Sequence, residues 1–277
     1  MHAWGRWRQW LVGVLLIACL SVLTSVGGAR LLRRQAALAR EEIFARPLGE
    51  TAPKGEKIYR ERYPERLELL VVGDSIAAGL GAERRKETLG GRLAKALAKT
   101  TRRSVHLLTM AQVGAQTSMV HDQLDALPED YRPDLAIVVV GGNDVTHRVP
   151  IGRSVADLVD VIDRLQELGA EVIVGTCPNL GAIRPLRQPL RSIAGRRSGL
   201  LARAQRRAAL ARGARTVSLG RVVGPIFLAE PERMFSLDRF HPSAAGYRRT
   251  AKAMLPSLLA ALGELEELPK GHYAPRG

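Results

Sequence analysis

Apolar runs too short to be helices recur along this chain, and they constrain its fold more than any other feature. They read LELLVVG (67–73), VHLLTMA (105–111), LAIVVVGGND (135–144), EVIVGTCP (171–178) and TVSLG (216–220). A strand with one wet face alternates apolar and polar residues. These runs are almost continuously apolar, which fits strands covered on both faces, as in a parallel sheet. Amphipathic stretches separate them. Leu93, Leu97 and neighbouring alanines form one; Val155, Leu158, Val159, Ile162 and Leu165 form another at helical spacing. A last helix is expected from about Ser243 to Leu262, with Ser243 as its N-cap just after Pro242. The alternation predicts a doubly wound, three-layer α/β domain over residues 67–262, built on a five-stranded parallel sheet. Ligands of such domains sit beyond the carboxyl ends of the strands. Ser75, Gly114 and Asn143 each fall just past the end of a different run, so they are expected on one edge.

Ser75 follows Gly73-Asp74 where the first run breaks, and far downstream the chain reads Asp238-Arg239-Phe240-His241-Pro242-Ser243. These are the parts of hydroxyl nucleophilic catalysis: a nucleophile, a general base and a carboxylate to orient that base. A serine hydroxyl is inert at its own pKa, so the reading requires Ser75 and His241 to meet. Asp74 and Asp144 are expected to brace their turns or cap the following helices instead. His106, His121 and His147 lack metal-ligand spacing. His147 is close enough to Asn143 in sequence to be a candidate pocket-lining residue.

Taken together, these residues resemble the SGNH (GDSL-type) hydrolase family over roughly Leu67 to Leu262. Gly73-Asp74-Ser75 looks like its first block, Gly114 the glycine of the second, Gly141-Gly142-Asn143-Asp144 the third, and Asp238 to His241 the fifth. The second block departs from the pattern: Ala111-Gln112-Val113 stands where many members have an asparagine before the glycine. The resemblance implies a flavodoxin-like fold with no metal or organic cofactor. It implies that Ser75 attacks an acyl carbonyl, that His241 moves the proton, and that Asp238 holds the imidazole. It further implies an oxyanion hole made by the backbone N–H groups of Ser75 and Gly114 and the Asn143 side-chain amide. The expected activity is cleavage of carboxylic esters through an acyl-serine, on O-acylated glycans, lysophospholipids or small acyl esters. Short acyl groups are favoured, because no wide apolar lid is evident and the chain has four Phe. An O-acyltransferase with the same triad and a silent membrane-tethered binding module are the alternatives.

Upstream of the domain, Trp10 to Ala29 carries no charge, and the three tryptophans Trp4, Trp7 and Trp10 cluster at its start. About twenty such residues match the span of a bilayer core, and tryptophan favours the interface. Residues 1–30 are therefore expected to be a transmembrane anchor or a signal, with small residues Gly27 and Ala29 at a plausible processing site. Arg30, Arg33, Arg34 and Arg40 follow the segment while Arg6 and Arg8 precede it. A literal count would keep the domain inside, but a short basic leader is the usual export design, so an extracytoplasmic domain is expected. Residues 31–66, interrupted by Pro47, Gly49, Pro53, Gly55 and Pro64, read as a stalk, and 263–277 as a polar tail.

The formal charge of +15 favours anionic surroundings. With aromatic residues at 4% and no recognisable module, nucleic acid is not among the expected partners. No acid lies between Glu171 and Glu230, and Arg196, Arg203 and Arg207 in that stretch share a helical face. That face is a candidate contact for anionic lipid or glycan; the competing reading is a solvated basic helix. The two cysteines, Cys19 and Cys177, lie in different segments and are not expected to pair.

Overall fold

The computed structural model describes residues 27–45, 48, 52, 53 and 56–275. Helices are α1 (27–44), α2 (Ser75–Ala78), α3 (Leu89–Thr101), α4 (Val120–Asp125), α5 (Gly142–Thr146), α6 (Ile151–Glu167), α7 (Leu190–Ala211), α8 (Leu219–Val222), α9 (Gly224–Ala229), α10 (Pro231–Met234) and α11 (Ala244–Ala261). Strands are β1 (Lys57–Tyr59), β2 (Arg66–Gly73), β3 (Ser104–Thr109), β4 (Leu135–Val139), β5 (Glu171–Gly175), β6 (Arg215–Val217) and β7 (His272–Tyr273).

Each long apolar run became a strand because both of its faces are covered. On one face Leu69, Val71, Leu107, Ile137 and Ile173 pack with α3 and α11, through Leu89, Leu93, Leu97, Met254 and Leu258. On the other, Leu70, Val72, Ala136, Val138 and Val172 meet α4 and α6, through Val120, Leu124, Leu158, Ile162 and Leu165. This is the three-layer arrangement the pattern predicted. As expected, the last helix is capped by Ser243, whose hydroxyl accepts from the N–H groups of Ala245 and Gly246 at 3.2 Å.

The sheet differs from the expected five parallel strands. It is mixed and seven-stranded, in the order β1-β3-β2-β4-β5-β6-β7. The five expected strands are its parallel centre, in a 2-1-3-4-5 succession. The edge strands β1 and β7 run antiparallel to β3 and β6. At three and two residues, they are too short to carry an apolar run. Both come from outside the 67–262 interval, one from the presumed stalk and one from the presumed tail. β6 is also shorter than its run, because Ser218 ends it and α8 begins at Leu219.

More of the 31–66 segment lies on the domain. Gln35 of α1 donates to the Gln188 carbonyl at 2.6 Å and accepts from Leu190 N–H at 3.2 Å, and Ala39 is buried. Glu42 pairs with Arg239 at 3.6 Å. The expected membrane or signal segment lies almost wholly outside the described residues. Among those described, no helix is long and apolar enough to cross a membrane.

Candidate active site

The site grows from the carboxyl ends of β2 and β4. Gly73 closes β2 at φ +133°, and a Cβ there would come within 1.9 Å of the Val139 carbonyl oxygen. Only glycine lets the two strand ends approach this closely. Asp74 then caps α2, its carboxylate accepting from Ile76 N–H at 2.9 Å, which fulfils the bracing role expected of it. Ser75 opens that helix.

Between Phe235 and Pro242 the chain doubles back, with an isolated bridge joining these two residues and Ser236 N–H donating to the His241 carbonyl at 2.7 Å. Asp238 sits in the resulting loop, its Oδ1 accepting from the N–H groups of Phe240 and His241 at 3.0 Å each. Asp238 Oδ2 lies 2.6 Å from His241 Nδ1, and His241 Nε2 lies 3.0 Å from Ser75 Oγ. Residues 166 positions apart are thus brought into one hydrogen-bonded line. Burial alone would raise the Asp238 carboxyl, but the His241 hydrogen bond and charge and the two backbone donors outweigh it and hold the group below its usual range. An ionised Asp238 fixes the tautomer with its proton on Nδ1 and leaves Nε2 free to take one from Ser75.

Asn143 borders the same pocket as Ser75 and His241. Its side-chain amide donates one N–H to the Ala115 carbonyl at 3.0 Å, which leaves the other for an incoming oxygen. That bond also ties α5 to the β3–α4 connection. Gly114 lies in this connection at φ +83°, exposed, and is not among the residues bordering the pocket. Asp144 steadies the same region by accepting from Thr117 N–H at 3.1 Å. His147 faces solvent and turns its Nδ1 to the Asn143 carbonyl at 2.9 Å; it does not border the pocket. His106 pairs with Glu68 at 2.6 Å and His121 with Arg164 at 3.3 Å, both away from the site. Arg196, Arg203 and Arg207 are exposed on α7, opposite its buried Ser198, Leu201, Gln205 and Ala209.

Three residues that the sequence reading missed hold these parts in place. Gln123 clamps Gly73 from both sides, accepting its N–H and donating to its carbonyl, each at 2.8 Å. Gln205 accepts from Cys177 N–H at 2.7 Å and donates to the Val140 carbonyl at 3.1 Å. The two glutamines therefore fix the backbone just ahead of Ser75 and just ahead of Asn143. Tyr247 donates to the Leu80 carbonyl at 2.7 Å, anchoring α11 beneath the turn that follows Ser75. Replacing Gln205 by leucine strands two buried backbone groups, at about 1–3 kcal/mol each. Urea unfolding of Gln205→Leu is expected to show a loss of about 2–5 kcal/mol; an unchanged midpoint would refute the clamp.

Asp74 bears a second consequence. Burial foremost, opposed by the Ile76 N–H and the nearby His241 and reinforced by Asp144, lifts its carboxyl from 3.8 to about 6. The folded protein then holds this proton more tightly than the unfolded chain. Stability from this group is intact below the unfolded value and falls as pH rises through the folded one. A carboxyl lifted from 3.8 to about 6 corresponds to about 3 kcal/mol. Asn cannot ionise, so the stability of Asp74→Asn relative to wild type is expected to rise by about 2–3 kcal/mol between pH 4 and pH 8. A pH-independent difference in urea midpoints would contradict the shift.

A nucleophile, base and carboxylate set at the strand ends of a three-layer α/β fold define the class of serine hydrolases. The profile of the GDSL-like lipase/acylhydrolase family matches residues 71–249, and the chain belongs to that family as an SGNH-type enzyme. Over 212 residues it is 42% identical to the GDSL-like esterase Rv1075c of Mycobacterium tuberculosis (strain ATCC 25618 / H37Rv), covering 76% of this chain and 68% of that protein. Its fold is similar to the crystal structure of TesA, with a TM-score of 0.58 at 22% identity, covering 70% of this chain and 99% of the other. The lipase/acylhydrolase from Enterococcus faecalis is similar too, with a TM-score of 0.58 at 18% identity, covering 73% and 99%.

Proposed function

We propose that the chain hydrolyses carboxylic esters through an acyl-serine formed on Ser75. One observation carries the reading: Ser75 Oγ, His241 and Asp238 form a continuous line at 3.0 and 2.6 Å. As Ser75 Oγ bonds to the ester carbonyl carbon, its proton passes to His241 Nε2. The carbonyl oxygen becomes an oxyanion, for which the free N–H of the Asn143 amide is the best-placed side-chain donor. Backbone N–H groups of Ser75 and Gly114 complete the hole. The intermediate collapses, the C–O bond to the alcohol breaks, and Nε2 returns the proton to the departing oxygen. Water then attacks the acyl-serine by the same route, giving the carboxylic acid and free Ser75. Asp238 stabilises the imidazolium in both halves.

The substrates in view are O-acylated glycans, lysophospholipids and small acyl esters, met by an extracytoplasmic domain held near a membrane by the apolar segment ahead of α1. The similarity to a named esterase supports ester chemistry. The exposed Arg196, Arg203 and Arg207 supply a face suited to anionic lipid or glycan. Product analysis tests the reaction type. With a chromogenic acetate ester, equal amounts of acetate and alcohol are expected, whether or not a carbohydrate acceptor is present. Acetylated carbohydrate as the main product would replace hydrolysis by acyl transfer. Vesicle sedimentation tests the arginine face: replacing all three by Gln is expected to weaken binding to anionic vesicles several-fold, and unchanged binding would remove that contact.

A further inference from the structure

The pocket that Ser75, Asn143 and His241 border also has an apolar part, and the whole encloses about 80 Å³. Its apolar walls include Leu180 and Ile183 from the loop after β5, Leu219 of α8, Val223 at the α8–α9 junction, and the rings of Phe227 and Phe235. All six are buried. The two rings meet edge to face, with centroids 5.0 Å apart and planes at 75°. Phe227 is also backed by α11, where the tip of its ring would stand 3.0 Å from a Cβ placed on Gly246. A ring pinned by a second ring and by helix backbone is a stiff wall, since moving it would open a void in close-packed surroundings.

Asn179 and Thr250 also border the pocket, but its walls are mostly apolar, so a sugar ring or a charged headgroup would lose most of its hydrogen bonds to water without replacement. It does suit a short hydrocarbon. A cavity of about 150 Å³ takes one benzene, six carbons, so about 80 Å³ takes roughly three. Resting on the esterase reading above, the geometry points to this space as the acyl-chain pocket, limiting the acyl group to about four carbons, with Phe227 as the residue that sets the limit. The alcohol part of the substrate then lies on the open side of Ser75, where its size is unrestricted by these walls.

Two ester series separate acyl from alcohol: p-nitrophenyl esters from acetate to octanoate, and acetates of progressively larger alcohols. Wild type is expected to turn over esters of two to four acyl carbons well and to fall off beyond butyrate in the first series. Phe227→Ala should raise the octanoate-to-butyrate ratio of kcat/KM by about tenfold or more, the discrimination a pocket gains from a methylene or two. Val223→Phe, which fills the space instead, should lower the butyrate-to-acetate ratio by a similar factor, and it carries the test if Phe227→Ala does not fold. Neither variant should change the ranking of the alcohol series. A wild-type optimum at octanoate, a shift in the alcohol series instead of the acyl series, or unchanged ratios in the variants would each overturn the assignment. Wild type turning over no ester in either series would overturn the esterase reading along with it, whereas activity with the wrong acyl profile overturns the pocket alone.

Discussion

Ser75→Ala is expected to lower hydrolysis of p-nitrophenyl acetate by about 10⁴-fold or more. Among the described residues, the Ser75 hydroxyl is the group that lies 3.0 Å from His241 Nε2, where it can give up its proton and attack the carbonyl carbon. Alanine removes it while leaving Asp74, Asn143 and the pocket walls in place. Stability should barely change, because the side chain is small and its partner His241 can turn to water. The control is covalent labelling: a fluorophosphonate should mark the wild-type protein at Ser75 and leave the variant unmarked. Equal hydrolysis by both proteins would mean that another group does the chemistry. Asn143→Ala offers a graded companion, since one oxyanion donor is typically worth about 3 kcal/mol of barrier.

The largest expected effect on folding comes from one hydrogen-to-methyl exchange two residues earlier. In Gly73→Ala the new methyl would stand 1.9 Å from the Val139 carbonyl oxygen and 2.7 Å from its carbon. At φ +133° an L-residue is strained before any contact is counted. The neighbourhood has no way to yield, because Gln123 grips the Gly73 N–H and carbonyl and Asp74 N–H donates to Val139 at 3.0 Å. A loss of about 4 kcal/mol or more is expected, which for a domain of this size lowers Tm by roughly 8–16 °C. Thermal unfolding within a degree or two of wild type would show that the strand ends are not locked together.

The centre of the fold was legible because Leu67 to Gly73, Leu135 to Val139 and Glu171 to Gly175 are apolar without alternation, a pattern that only double coverage explains. The edges were not. Lys57-Ile58-Tyr59 and His272-Tyr273 join the sheet over only three and two residues, too short a stretch to leave a side-chain pattern. The glutamines hid for a different reason, since a lone amide on a helix reads as a wet residue. Gln205 did leave a signal: it lies four residues from both Leu201 and Ala209 on the inward stripe of α7. A polar residue within such a stripe asks for buried partners. Ser75, Asp238 and His241 were readable because their chemistry demands a common location, and the strand-end rule supplied it. The position of Gly114 was less so: its turn follows β3 as expected, yet stands outside the pocket border.

The separation of 166 positions between the hydroxyl and its base also orders events in the life of the chain. During synthesis from the amino end, β2 and its serine are made long before the imidazole exists. Until α11 docks, with Tyr247 reaching Leu80, the nucleophile has no partner to withdraw its proton. Reactivity therefore arrives last, as a product of completed folding. A truncated or half-made polypeptide carries the serine in a harmless state.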